Sequence, residues 1–219
     1  MNRKLLCVAT LAVFLIPGAF AQQAASASAQ EEYNKNTWSA EDASRIVQEV
    51  RHQLLSLTNY GVFDSLSFGI KGRSIVLRGF ASRPILKSEA ENAVKKIPGV
   101  ASIDNQIKVL PNSPMDDQIR AGVYRRIYSN AALRKYTGSP VGFGMGPSVA
   151  RAAGGITMDP PLGYHAIHII VDSGHVTLTG VVNSEADSNI AAMQANSTPG
   201  TFSVDNDLMI AGQPADREK

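Results

Sequence analysis

The residues able to do chemistry are few, and their spacing points away from catalysis. The four histidines are His52, His165, His168 and His175. His165 and His168 stand three apart on an expected strand, so they face opposite sides of it. A zinc site needs three or four convergent ligands, and the one cysteine, Cys7, sits inside the apolar first segment. Asp172, Ser173 and His175 have the composition of a nucleophile–base–acid set, but they are residues of an expected turn, as Lys71, Gly72 and Arg73 are in the other copy. Gly142, Gly144 and Gly146 are not a dinucleotide fingerprint. No strand leads into them and no acidic residue follows at the required distance. The expectation is a protein that is not an enzyme and uses no metal or cofactor.

Binding chemistry is better supplied. From Gln118 to Met158 there is no Asp or Glu, while the same stretch holds Arg120, Arg125, Arg126, Arg134, Lys135 and Arg151. Ile119, Val123 and Ile127 recur at helical spacing and take the core face. Tyr124 and Tyr128, four apart, share a flank of that helix. The expected lipid-binding set is Arg120, Tyr124, Arg125, Arg126, Tyr128, Arg134, Lys135 and Tyr136. A tyrosine ring is apolar with a polar tip, which suits a membrane interface. Each cation near an anionic surface contributes on the order of 1 kcal/mol. The competing reading is a solvated basic helix whose tyrosines pack on the domain edge. Val141, Phe143 and Met145 alternate with glycines; they would enter headgroups as a loop tip or fold over a sheet edge.

The start of the chain reads as a targeting signal. Arg3 and Lys4 precede an apolar run from Leu5 to Ile16, and Ala19-Phe20-Ala21 fits a small-x-small cleavage site. The run is too short for a good membrane span. Residues 1–21 are expected to be removed, leaving a cysteine-free chain in the periplasm. The formal charge of +2 would then fall close to zero. A near-neutral, exported chain is a poor candidate for nucleic acid.

The elements that must position the basic helix come in two copies. Ile75-Val76-Leu77-Arg78-Gly79 reads like Val176-Thr177-Leu178-Thr179-Gly180. Pro98-Gly99 reads like Pro199-Gly200, and Asp104-Asn105 like Asp205-Asn206, all 101 positions apart. Ala90 and Ser102 also recur in register. Such a repeat decides the architecture before any local assignment. In the first copy Ser39 caps a helix striped by Ile46, Val47, Val50, Leu54 and Leu57. Leu66, Phe68 and Ile70 alternate, Lys71-Gly72-Arg73 turns, and Ile75 and Leu77 alternate again. Pro84 opens a second helix with Leu86, Ala90, Ala93, Val94 and Ile97 on one face, and Val100 to Val109 returns as a strand. The second copy repeats this order, with a Gly- and Pro-rich insertion at 137–163 between its first helix and first strand. A connection of that length is functional or disordered. Gly79 and Gly180 end a strand where a backbone angle or close packing excludes a side chain.

The fold class expected is α+β: two small αββαβ domains, each a three-stranded mixed sheet with two helices packed on one face. The divisions are a signal at 1–21, a flexible tether at 22–38, a first domain at 39–110, a linker at 111–114, a second domain at 115–211 and a tail at 212–219.

This order, with a glycine closing the second strand, resembles the BON domain. The residues carrying the match are Val76-Leu77-Arg78-Gly79, Ile97-Pro98-Gly99-Val100 and Asp104-Asn105-Gln106-Ile107, then Val176 to Gly180, Pro199-Gly200 and Val204 to Leu208. The insertion and Thr201, where a valine is usual, depart from the pattern. Tandem copies behind a secretory signal are similar to the periplasmic, osmotically inducible dual-BON proteins. The resemblance implies binding of anionic phospholipid, through the first helix of the second copy, and a role in envelope integrity under stress. A protein-interaction or chaperone-like module for envelope proteins, working through sheet faces or edge strands, is the alternative.

Overall fold

The computed structural model describes residues 37–138 and 148–213. The signal at 1–21, all but the last two residues of the tether, the Val141-Phe143-Met145 alternation and the last part of the tail lie outside them.

The first copy opens with α1 (Ala40–Leu55), whose Ser39 side chain accepts the Asp42 amide. Ile46, Val50 and Leu54 form its buried stripe. Strands β1 (Ser65–Lys71) and β2 (Ser74–Ala81) make an antiparallel hairpin around Gly72. Helix α2 (Pro84–Lys95) starts at Pro84 and buries Leu86, Ala90 and Val94. The chain then runs parallel to β2, but in two pieces: β3 (Ser102–Asn105) and β4 (Lys108–Val109). The expected third strand is therefore divided, and this sheet has four strands.

In the second copy, Ser113 caps α3 (Pro114–Ser129), so the expected linker at 111–114 already forms the start of a helix. A 3-10 turn (Arg134–Tyr136) follows, then α4 (Val149–Met158) inside the Gly/Pro-rich insertion. Next come β5 (Ile167–Asp172), β6 (His175–Val182), α5 (Glu185–Asn196) and β7 (Ser203–Ile210). Strand β6 pairs antiparallel with β5 and parallel with β7, a three-stranded mixed sheet. The β5–β6 turn places Ser173 and Gly174 at positive φ, 56° and 84°. That is the twist a two-residue hairpin favours. The Asp116 carboxylate of α3 holds it by accepting both amides, at 3.0 and 2.9 Å.

The repeated residues do the same work in each copy. Gly79 and Gly180 have φ of +110° and +123°. A Cβ there would lie 2.0 Å from the carbonyl oxygen of Ser65 or of Ala166. Both expected reasons for glycine, angle and closeness, thus hold at once. Asn105 donates to the Lys87 carbonyl, and Asn206 to the Ser188 hydroxyl, tying each last strand to the helix that precedes it.

Each copy has its own core, but the boundary between them is crossed. Val62 and Phe63, which precede β1, are buried in the core of the second copy beside Tyr124 and Ile167. The Val62 carbonyl accepts the Ile169 amide at 2.8 Å. Asp64 fixes this segment by accepting from Gly61 N, Ser82 N and the Ser82 hydroxyl. Burial raises the pKa of its carboxyl. Lys108 and Asp172 add a 2.5 Å ion pair across the copies.

Candidate functional site

Helix α3 divides the expected lipid-binding set in two. Arg125 and Arg126 stand on its exposed face, and Arg134 and Lys135 are exposed in the turn beyond it. Arg126 donates to the Ser197 hydroxyl at 3.2 Å. Lys135 lies 3.0 Å from Asp187. That hydrogen bond, with others from Tyr136 and Ser184, holds the Asp187 carboxyl below the usual carboxylate range. Arg125 lines a groove of about 660 Å³ between α3 and α4.

Arg120, Tyr124, Tyr128 and Tyr136 are buried, and this corrects the expected surface. None of the four presents its side chain to a membrane. Their task follows from the edge of β5. Ile167, Ile169 and Val171 turn peptide groups away from β6, and buried peptide groups must find partners. The Tyr128 hydroxyl donates to the Ile167 carbonyl at 2.5 Å and accepts the Ile167 amide at 3.3 Å. Val62 takes the Ile169 amide. The Arg120 guanidinium donates to the Val171 carbonyl at 2.7 Å. The same guanidinium pairs with Asp117 at 2.7 Å and donates to Thr157 of α4. Tyr136 donates to Asp187 and accepts the Asn183 amide. The clue was present in the sequence: Asp117 lies three residues before Arg120, immediately ahead of the carboxylate-free stretch that begins at Gln118.

The histidines are also structural. His165 donates from Nδ1 to the Gly163 carbonyl, so its Nε2 accepts the Tyr124 hydroxyl at 3.1 Å. Burial pushes its pKa down to about 4. His168 donates to the Gly61 carbonyl and lies against Tyr60 of the first copy; His165 precedes β5 rather than standing on it, and both line the cleft between the copies. Its pKa is likewise lowered by burial. His175 bonds Ser203 and packs edge-on against Phe202, so it does not address Ser173.

A family model for the BON domain matches residues 69–111 and again 152–212. No curated protein matches the chain. Among solved structures, the C-terminal domain of CdsD aligns at 15% identity with a TM-score of 0.24. CdsD is a structural protein of the type III secretion system of Chlamydia trachomatis. The alignment covers 77% of this chain and 98% of that one. A second CdsD structure aligns at 14% identity, with 76% and 92% covered and the same TM-score. At such scores the likeness carries no argument about function. The two matched segments fall one in each αββαβ copy, and the chain is therefore a tandem BON-domain protein.

Proposed function

We propose that the protein is an exported, non-enzymatic BON-domain protein that binds anionic phospholipid at a membrane surface and supports envelope integrity under stress. The contact is made by the exposed basic residues Arg125, Arg126, Arg134 and Lys135. The observation carrying this reading is the adjacent pair Arg125 and Arg126, which face solvent in a segment without carboxylates from Gln118 to Met158. Lys135 already has Asp187; among the described residues, Arg125, Arg126 and Arg134 make no ion pair. At about 1 kcal/mol each near an anionic surface they support weak, reversible attachment. The buried tyrosines add no interfacial anchor, so the attachment is electrostatic and salt-sensitive. The position agrees with the lipid-binding helix that the BON resemblance implies. Among the described residues, no helix is long and apolar enough to cross a membrane.

The test is vesicle co-sedimentation of the purified protein on phosphatidylglycerol-containing and on pure phosphatidylcholine vesicles, at low and high salt. Binding is expected only to the anionic vesicles, weakened by salt and abolished in Arg125→Glu/Arg126→Glu. Equal binding to both vesicle types, or no effect of the double change, would refute it.

A further inference from the structure

A cleft of about 840 Å³ lies between the copies. Its lining includes the whole middle of β1, from Ser65 to Ile70, with Val47, Arg51 and Leu55 of α1 on one side and Val181 and Met209 of the second copy on the other. Five exposed large apolar side chains converge on it: Leu55, Ile70, Tyr164, Val181 and Met209. Strand β1 pairs only with β2, so its other edge is free within the sheet.

The repeat shows what this edge lacks. Leu66, Phe68 and Ile70 face Gly79, Leu77 and Ile75 as Ile167, Ile169 and Val171 face Gly180, Leu178 and Val176. They therefore turn the same peptide groups outward. Ile46 and Ile119 occupy matching places, each at 3.3 Å from a Cβ built on Gly99 or Gly200. Counting along the helices from these two, Arg120, Tyr124 and Tyr128 correspond to Val47, Arg51 and Leu55. The second copy thus closes its strand edge with its own helix and with the Gly61–Asp64 segment. The first copy has shorter or aliphatic residues at two of those places and an exposed arginine at the third. Among the described residues, no hydrogen bond reaches the outward groups of Phe68 and Ile70.

We propose that the β1 edge and this cleft form a strand-addition site for an extended polypeptide segment of a partner protein, carrying adjacent bulky apolar residues. The molecule contains the template for such an occupant. Gly61–Asp64 lies against the β5 edge, gives one backbone hydrogen bond and buries Val62 and Phe63. The cleft continues the interface this segment makes, since Tyr60, Ser65, His168 and Thr179 belong to both. Main-chain hydrogen bonds then supply affinity and side-chain pockets supply selectivity. The charge of the lining also favours peptide over phospholipid: Arg51 is its one arginine and Asp207 its one carboxylate. An anionic headgroup finds no cluster of cations there.

The probe is a capped synthetic peptide with the sequence of residues 59–65, titrated into the isotope-labelled protein. The result expected is that the Phe68 and Ile70 amides shift and exchange more slowly with solvent. Two variants test the site. Ile70→Pro removes one outward N–H at an edge position where proline is tolerated. Val47→Arg/Leu55→Tyr copies the closure of the second copy. Each is expected to weaken peptide binding at least tenfold with an unchanged β2 pairing pattern. Unmoved Phe68 and Ile70 amides overturn the proposal, as does wild-type affinity in both variants. It is also overturned if a lysophosphatidylglycerol monomer perturbs the cleft while the peptide does not, which assigns the cleft to an acyl chain.

Discussion

The Tyr128 hydroxyl both donates to and accepts from the backbone of Ile167, closing the edge of β5 from within the fold. Desolvation pushes the phenol pKa up, so the hydroxyl keeps its proton for this bond. Tyr128→Phe leaves a buried amide and a buried carbonyl without that partner. The expected cost is about 1–3 kcal/mol of stability, read from denaturant unfolding. Vesicle binding of the folded variant is expected to be unchanged, because the side chain has no exposed surface. A large loss of vesicle binding without a loss of stability would return Tyr128 to the lipid surface.

The strand-ending glycines give the sharpest stability prediction. Gly79→Ala and Gly180→Ala each force a Cβ onto a carbonyl oxygen at positive φ. Each is expected to destabilise by about 2–4 kcal/mol. Gly69→Ala is the control, since a Cβ there meets nothing within 4 Å. It is expected to be neutral, or stabilising by about 0.5 kcal/mol, because the unfolded chain loses freedom. Thermal midpoints of the three variants decide it.

These glycines were legible in the sequence because a backbone requirement is local and leaves the same mark in both copies. The stripes Ile46-Val50-Leu54 and Ile119-Val123-Ile127 were legible for a similar reason, since period alone identifies a helix's core face. The width of the buried arc was not. Tyr124 and Tyr128 adjoin the stripe of α3, and whether they face water depends on what packs beside them. Here that is Phe63, from the other copy, together with the unpaired edge of β5. Nothing in the local pattern around Val62-Phe63 says that this pair leaves its own domain. The helix inside the 137–163 insertion was hidden by Gly154 and Gly155; Gly155 takes a φ of +74° where α4 passes over Asp117.

Mild acid should loosen the second copy before carboxylates titrate. His165 has a folded pKa of about 4, below its ordinary value of about 6.5. Between those values the unfolded chain binds the proton and the folded one does not. The stability from a neutral His165 is thus complete above about pH 6.5 and is lost as the pH falls towards 4. Discounting for solvent screening, the loss by pH 5 is about 1 kcal/mol. His168 acts in the same direction, and Asp64, whose pKa is raised, acts in the opposite one. His165→Gln isolates the effect. Its unfolding free energy should fall less between pH 7 and pH 5 than that of the parent chain, and an equal fall would remove His165 as the cause.

Phe63 makes the two copies one unit of stability. Its side chain is buried among residues of the second copy, with its ring 6.4 Å from that of Tyr124, although its backbone leads directly into β1 of the first. Its neighbour Val62 adds the hydrogen bond to Ile169. Unfolding the first copy alone would pull both side chains out of the second core and reopen the β5 edge. The parent protein is therefore expected to unfold in a single transition, with calorimetric and van't Hoff enthalpies in agreement. Phe63→Ala removes this shared side chain at a cost of about 3–5 kcal/mol. Because that loss falls on the junction, the variant should unfold in two steps, the second copy melting first, since its core bears the cavity. Calorimetry distinguishes the outcomes. Two transitions already present in the parent protein, or a single one retained in Phe63→Ala at an unchanged midpoint, would show that the copies fold independently of this contact.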